Sequence, residues 1–127
     1  MIQLDTHVVV WLYDGRTDLF PKKTMELMEK EELGVSPMVI LELEYLFETR
    51  KISRQSHLYI SDLSDRIGLS VLSDSFGGVV SQAVLEKWTR DPFDRIIAAH
   101  AALNNSKLVT KDRAILKHYA HAVWGGK

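Results

Sequence analysis

The 127-residue sequence predicts an α/β domain built on a central parallel sheet with helices on both faces. Short runs of β-type residues alternate with longer helical patterns along the whole chain. Several strand ends run straight into a helix-start signal, as in Leu4-Asp5-Thr6, Val35-Ser36-Pro37 and Val109-Thr110-Lys111-Asp112. No repeat, low-complexity tract or Pro/Gly/Ser-rich linker interrupts this pattern, so residues 1–127 read as one domain.

Met1 to Leu4 reads as a buried strand, and the apolar run from Val8 to Leu12 starts a helix that Asp14-Gly15 terminates. Pro21 to Glu32 is amphipathic, with Met25, Leu27 and Met28 on its inward face and Gly34 closing it; Leu33 to Val35 is a brief second strand. Ser36 as N-cap and Pro37 at the first helical position open a helix through MVILELEYLFETR. Another helix is expected from Ser53 to about Arg66, with Leu58, Ile60, Leu63 and Ile67 as its apolar set. Leu69 to Leu72 is a short strand, and Ser75 to Trp88 is helical in pattern despite Gly77-Gly78. Asp91-Pro92 opens a tightly packed helix through IIAAHAAL that stops near Asn104-Asn105. Lys107 to Thr110 is a strand, Asp112 to about His118 a short helix, and Ala122 to Trp124 a last strand.

Composition excludes several classes. With 46% hydrophobic and 26% charged residues the chain is ordinary for a globular protein, and no apolar stretch approaches the ~20 residues of a membrane helix. MIQLDTHVVVWLYDG lacks the basic start and small-residue cleavage site of a signal peptide, so a cytoplasmic location is expected. Zero cysteines remove disulfides, thiol nucleophiles and Cys-based zinc sites together. Net charge is −1, but residues 1–65 hold 7 Lys/Arg against 12 Asp/Glu and residues 66–127 hold 9 against 5. The second half is thus the one suited to phosphate.

In parallel sheets ligands collect beyond the carboxyl ends of the strands, so the junctions are where chemistry is expected. Asp5, Asp94 and Asp112 lie near strand carboxyl ends or helix N-termini on that edge, and each has two readings. Asp5 and Asp112 sit where an N-cap belongs, while Asp91 and Asp94 imitate a capping box around Pro92. Glu42 differs, because it lies inside a helix with Met38, Val39, Tyr45 and Leu46 at spacings of three and four. A carboxylate in that apolar stripe asks for a partner or reaches water. By contrast Glu44 and Glu48 suit a solvated face. Four carboxylates brought into one cleft would repel one another, and a divalent cation is the natural remedy. Without Cys or paired His, all-oxygen ligation points to Mg²⁺ or Mn²⁺ rather than zinc.

Four fragments, LDTH with Asp5, VSPMVILELEYL with Glu42, DPFDRIIAAHA with Asp94 and LVTKDRAI with Asp112, together resemble the PIN-domain family, and within it the VapC-type toxins. The resemblance covers almost the whole chain. It implies a three-layer α/β/α fold with a parallel sheet of about five strands and Mg²⁺- or Mn²⁺-dependent endonucleolytic cleavage of RNA. A homodimer is also implied, with a cognate antitoxin that inhibits the nuclease and brings the complex to operator DNA. In this reading Asp5 and Asp94 hold the metal, Glu42 and Asp112 act directly or through water, and in-line attack leaves 5′-phosphate and 3′-hydroxyl ends. Thr6 and Thr110 either orient carboxylates and waters or are helix-start residues, and Asp91 is an extra acid ranked as a cap or outer support before a ligand. Arg95, Lys111, Arg113 and Lys117 flank two of the acids and either hold the RNA backbone or are solvated charges.

His100, among alanines, reads as a core or interface residue, and His7, His57, His118 and His121 form no spaced ligand set. Trp11, Tyr13, Tyr45 and Phe47 are core residues or the lining of a groove for an antitoxin helix. Rival readings are weaker. A phosphatase of the haloacid-dehalogenase type wants a second acid two residues after its nucleophile, where this chain has His7, and a receiver domain wants an acid pair on its first strand. A PIN-like interaction module without activity is the non-enzymatic alternative.

Overall fold

In the computed structural model, which describes residues 1–125, the chain runs β1 (Ile2–Leu4), α1 (Thr6–Tyr13), a 3-10 turn at Thr17–Leu19, α2 (Lys22–Lys30), β2 (Leu33–Val35), α3 (Pro37–Glu48), α4 (Ser56–Ile67), β3 (Ser70–Val71), α5 (Phe76–Leu85), α6 (Pro92–Leu103), β4 (Lys107–Val109), α7 (Arg113–His118) and β5 (Ala122–Val123). The strands form one parallel sheet in the order β3-β2-β1-β4-β5, flanked by the helices in an α/β/α arrangement. Being covered on both faces, its central strands are apolar without alternation: Leu4, Val35, Leu108 and Val109 are fully buried. They join Val8 and Val9 of α1, Leu43 of α3, Ile97 of α6 and Ile115 of α7 in one core.

Strand order reverses at β1, with β2 and β3 to one side and β4 and β5 to the other. The crevice beyond the carboxyl ends of β1 and β4 is therefore the topological switch point, the favoured ligand position in such sheets. Register pairs Leu4 with Val109, and the Asp5 N–H donates to the Val109 carbonyl at 3.0 Å, so Asp5 and Thr110 leave the sheet side by side. No helix among the described residues is long and apolar enough to cross a membrane.

Local signals placed most helix starts. Asp5, Ser36, Ser75, Asp91 and Asp112 all stand at N-caps with their side chains accepting backbone N–H groups. Three expectations change. Gly34 does not close the second helix, which ends at Lys30; it lies inside β2, paired with Gln3 and Ser70. A Cβ there would stand 2.7 Å from the Met1 Sδ and 3.3 Å from a Leu72 methyl, so close packing under the neighbouring side chains is what the glycine allows. Helix α4 begins at Ser56 rather than Ser53 and turns Ser56, Tyr59 and Leu63 inward, leaving Leu58 and Ile67 exposed. Glu44 is not on a solvated face: half-buried, its Oε1 accepts from the Ser56 N–H at 3.1 Å and the Ser56 hydroxyl at 3.0 Å, capping α4 from another helix.

Candidate active site

Four elements deliver five carboxylates to one cavity of about 470 Å³. Its lining includes Asp5 from the end of β1, Glu42 from α3, Asp91 and Asp94 from the start of α6, and Asp112 from the start of α7. Contacts of α3 with both α1 and α6 bring Glu42 across to the sheet edge.

Asp5 is 7% exposed, and both its oxygens are engaged. Oδ1 accepts from the Thr6 N–H at 2.8 Å and Oδ2 from the Thr110 hydroxyl at 2.6 Å. Burial pushes this carboxyl above its ordinary range, the two hydrogen bonds and His7 work against that, and Asp112 adds to it. Glu42 has the partner that its apolar stripe demanded: the buried Thr6 hydroxyl donates to its Oε1 at 2.5 Å. Its carboxyl too is raised, by burial first and by repulsion from Asp5 and Asp91, against the Thr6 hydrogen bond and His7.

Thr110 binds the two sides together, because its hydroxyl also accepts from the Asp112 N–H at 3.0 Å, while Asp112 Oδ1 caps α7 through the Ile115 N–H at 3.0 Å. Asp91 Oδ1 caps α6, accepting from the Phe93 N–H at 2.8 Å and the Asp94 N–H at 3.3 Å. The Asp94 side chain, in contrast, has no hydrogen-bond partner among the described residues. Its carboxyl is pushed up to about 7, first by burial and then by the charges of Asp5, Asp91, Asp112 and Glu42. A carboxylate raised that far, at a helix N-terminus that ought to favour its charge, marks a pocket short of positive charge.

The oxygen-only lining suits a hard divalent cation such as Mg²⁺ or Mn²⁺. Among the described residues no three His, Cys, Asp or Glu side chains form a preassembled ligand shell. The carboxylates instead share the lining of a cavity of about 470 Å³, and Mg²⁺ characteristically keeps several waters. Removal of the Thr110 hydroxyl tests the scaffold beneath this arrangement. Thr110→Val leaves a buried Asp5 oxygen and the Asp112 N–H without their partner, and is expected to lower unfolding stability by about 1–3 kcal/mol. Urea unfolding of the variant beside the parent measures it.

Of the four candidate cations only Lys111 lines the cavity, its ammonium 5.9 Å from the Trp11 ring centre. Arg113 and Lys117 are exposed along α7 and do not line it. Arg95 is placed elsewhere, its guanidinium spent on the carbonyls of Ala83, Val84 and Thr89, where it fastens the end of α5 to α6. His100 is in the core at 2% exposure, its Nδ1 2.9 Å from the Ser36 hydroxyl and its Nε2 2.9 Å from Asp74. Tyr13 packs on Tyr59, Tyr45 on Phe93, and Phe47 lines a different cavity. His7, Val8 and Trp11 also line the cavity, a place the sequence reading does not assign to them. The spacing of four between His7 and Trp11 on α1, just past Asp5, was the available signal.

The sequence profile of the PIN domain matches residues 2–122. Ribonuclease VapC22 of Mycobacterium tuberculosis is 26% identical over 119 residues, covering 92% of this chain and 91% of that protein. Among solved structures, VapBC2 from Rickettsia felis bound to a DNA fragment from its promoter superposes with a TM-score of 0.65 at 23% identity, over 97% of this chain and 96% of the other. A toxin-antitoxin complex from Klebsiella pneumoniae gives 0.67 at 16% identity over the same shares. At these identities the structural likenesses speak for the fold.

Proposed function

Because the chain belongs to the PIN-domain family, we propose that it is a divalent-metal-dependent endoribonuclease, the toxin of a toxin–antitoxin pair, with Asp5, Glu42, Asp94 and Asp112 as its acid set. The observation that carries this reading is the convergence of five carboxylates on one cavity, where Asp94 is left without a hydrogen-bond partner among the described residues and is raised to about 7 by burial and its neighbours. Such a site is incomplete without a cation, and the curated relative is named a ribonuclease.

Asp94 and Asp5 are the residues assigned to hold Mg²⁺ or Mn²⁺ directly, with Glu42 and Asp112 acting on the ion or on its waters. When bound, the ion neutralises phosphate charge and makes water acidic enough to serve as a nucleophile near neutral pH. The chain's own groups do the rest. Thr110 and the Thr6 N–H fix the Asp5 carboxylate so that it need not reorganise, and the Thr6 hydroxyl orients Glu42. Lys111 is the cation available at the cavity wall to meet a backbone phosphate.

Incubation of the purified protein with total RNA is expected to give cleavage in Mg²⁺ or Mn²⁺, none in EDTA, and fragments with 5′-phosphate and 3′-hydroxyl ends. Intact RNA in every metal tested, from a folded preparation, would leave the inactive interaction module as the reading. We also assign a homodimer, a cytoplasmic setting and a cognate antitoxin through which the complex reaches operator DNA. Support comes from the toxin–antitoxin complexes among the structural neighbours, one of them bound to promoter DNA. Light scattering at twice the 14.5 kDa chain mass checks the dimer.

A further inference from the structure

Resting on the nuclease reading, we propose that the Trp11 indole is a stacking platform for an unpaired nucleobase beside the acid cavity. Among the described residues the cavity wall holds five carboxylates and one ammonium, that of Lys111. A bound cation offsets part of that charge, yet such a wall offers a polyanion little net attraction. A share of the affinity must then come from a part of RNA other than phosphate. The one large apolar surface in the same wall is the half-buried Trp11 ring.

Its surroundings hold the ring as a platform. Phe20 meets Trp11 at 6.2 Å with planes 77° apart, and Trp124 meets it at 5.9 Å and 62°. Phe20 and Trp124 also touch each other at 5.3 Å, so the indole is braced before any ligand arrives and loses little freedom on stacking. His7, exposed and two residues past Asp5, stands beside it at 6.0 Å as a second ring.

Lys111 connects this platform to the acids. It lies between Thr110 and Asp112 in the chain, and its ammonium is 5.9 Å from the indole centre, near the outer limit of a cation–π contact at about 6 Å. An arriving base displaces that weakly held ammonium from the ring, leaving it free to pair with the adjoining phosphate. Bases inside a duplex have both faces covered by their neighbours and cannot use the platform, whereas splayed bases of loops and single strands can.

Trp11→Phe and Trp11→Leu both fill the space, but only Phe keeps a π face. Binding of a labelled single-stranded oligoribonucleotide is read by anisotropy in the Asp94→Asn background with Mg²⁺, so that the RNA stays intact, beside a duplex of the same sequence and an abasic strand of the same length. The Leu variant is expected to bind the single strand about tenfold more weakly, with Phe within about threefold of the parent and duplex binding unmoved. Equal affinity of parent and Leu variant overturns the inference. Should the Leu variant fail to fold, the abasic strand decides: stacking requires that the parent bind it more weakly, and equal binding overturns the proposal. Parent protein that cuts RNA while Trp11→Leu keeps the same KM removes the platform and leaves the nuclease. Trp11-dependent binding without any cleavage by the parent does the reverse, and a parent that neither binds nor cuts removes both.

Discussion

Asp94→Asn is expected to lower Mg²⁺-dependent RNA cleavage by about a thousandfold or more while leaving the protein folded. The substitution keeps size and polarity and deletes the one carboxylate of the cavity that has no hydrogen-bond partner among the described residues. Loss of a direct metal ligand removes several kcal/mol of transition-state stabilisation, and about 4 kcal/mol is a factor of ~10³ in rate. Asp5→Asn is expected to be as inactive but less clean. An asparagine there can offer its oxygen to the Thr6 N–H only by turning its NH₂ toward the Thr110 hydroxyl, which already accepts from the Asp112 N–H. Asp5→Asn should therefore unfold at lower urea than the parent, and Asp94→Asn should not. Single-turnover cleavage with matched preparations checks both, and an Asp94→Asn protein that cuts as well as the parent removes the acid set from the chemistry.

The metal-free protein is expected to lose stability between pH 5 and pH 8, and Mg²⁺ to restore it at the upper end. Asp94 has its folded pKa raised from 3.8 to about 7, and Asp5 and Glu42 are raised too. The native state thus holds protons that the unfolded chain has released, so stability is fullest below the unfolded pKa and falls as pH rises through the folded one. Asp18 and Asp74 are lowered, by Arg16 and by His100 respectively, so their contribution is lost only in stronger acid, below this window. Discounted for the solvent that reaches Asp94, the change is on the order of 1–2 kcal/mol, a fall of several degrees in Tm for a domain of this size. A cation that binds the charged carboxylates reverses the fall, because it binds the folded state alone. Calorimetry in EDTA and in Mg²⁺ at both pH values reads the effect, and Asp94→Asn should flatten it. A Tm in EDTA that rises from pH 5 to pH 8 contradicts the assigned electrostatics.

Legibility followed the range of the interaction. Ser36-Pro37, Asp91-Pro92 and Asp112 could be placed because an N-cap reaches N–H groups only two or three residues ahead. Helix α4 was less readable, since its sequence offers two apolar phases and the choice fell to Tyr59, which packs on Tyr13 at 4.5 Å from a distant helix. Arg95 looked like a surface cation beside Asp94, and nothing near it in sequence announces the carbonyls of Ala83 and Val84 that hold it. Glu44 likewise looked solvated until α4 folded back to place Ser56 on it.

Alone, the sequence determined the alternation of strands and helices, the residues that start the helices, and the presence of acids at three helix N-termini, two of them directly after a strand, all of which depend on neighbours within one turn of chain. Capping and site membership proved compatible rather than exclusive: Asp5, Asp91 and Asp112 each hold a backbone N–H and still line the cavity. Only the tertiary structure decided that these acids share that cavity with Glu42, that Thr110 holds Asp5 across 105 positions, and that Trp11 stands in the same wall. Those facts are set by sheet order, register and helix packing, and side chains so far apart in sequence meet only once the whole core has formed.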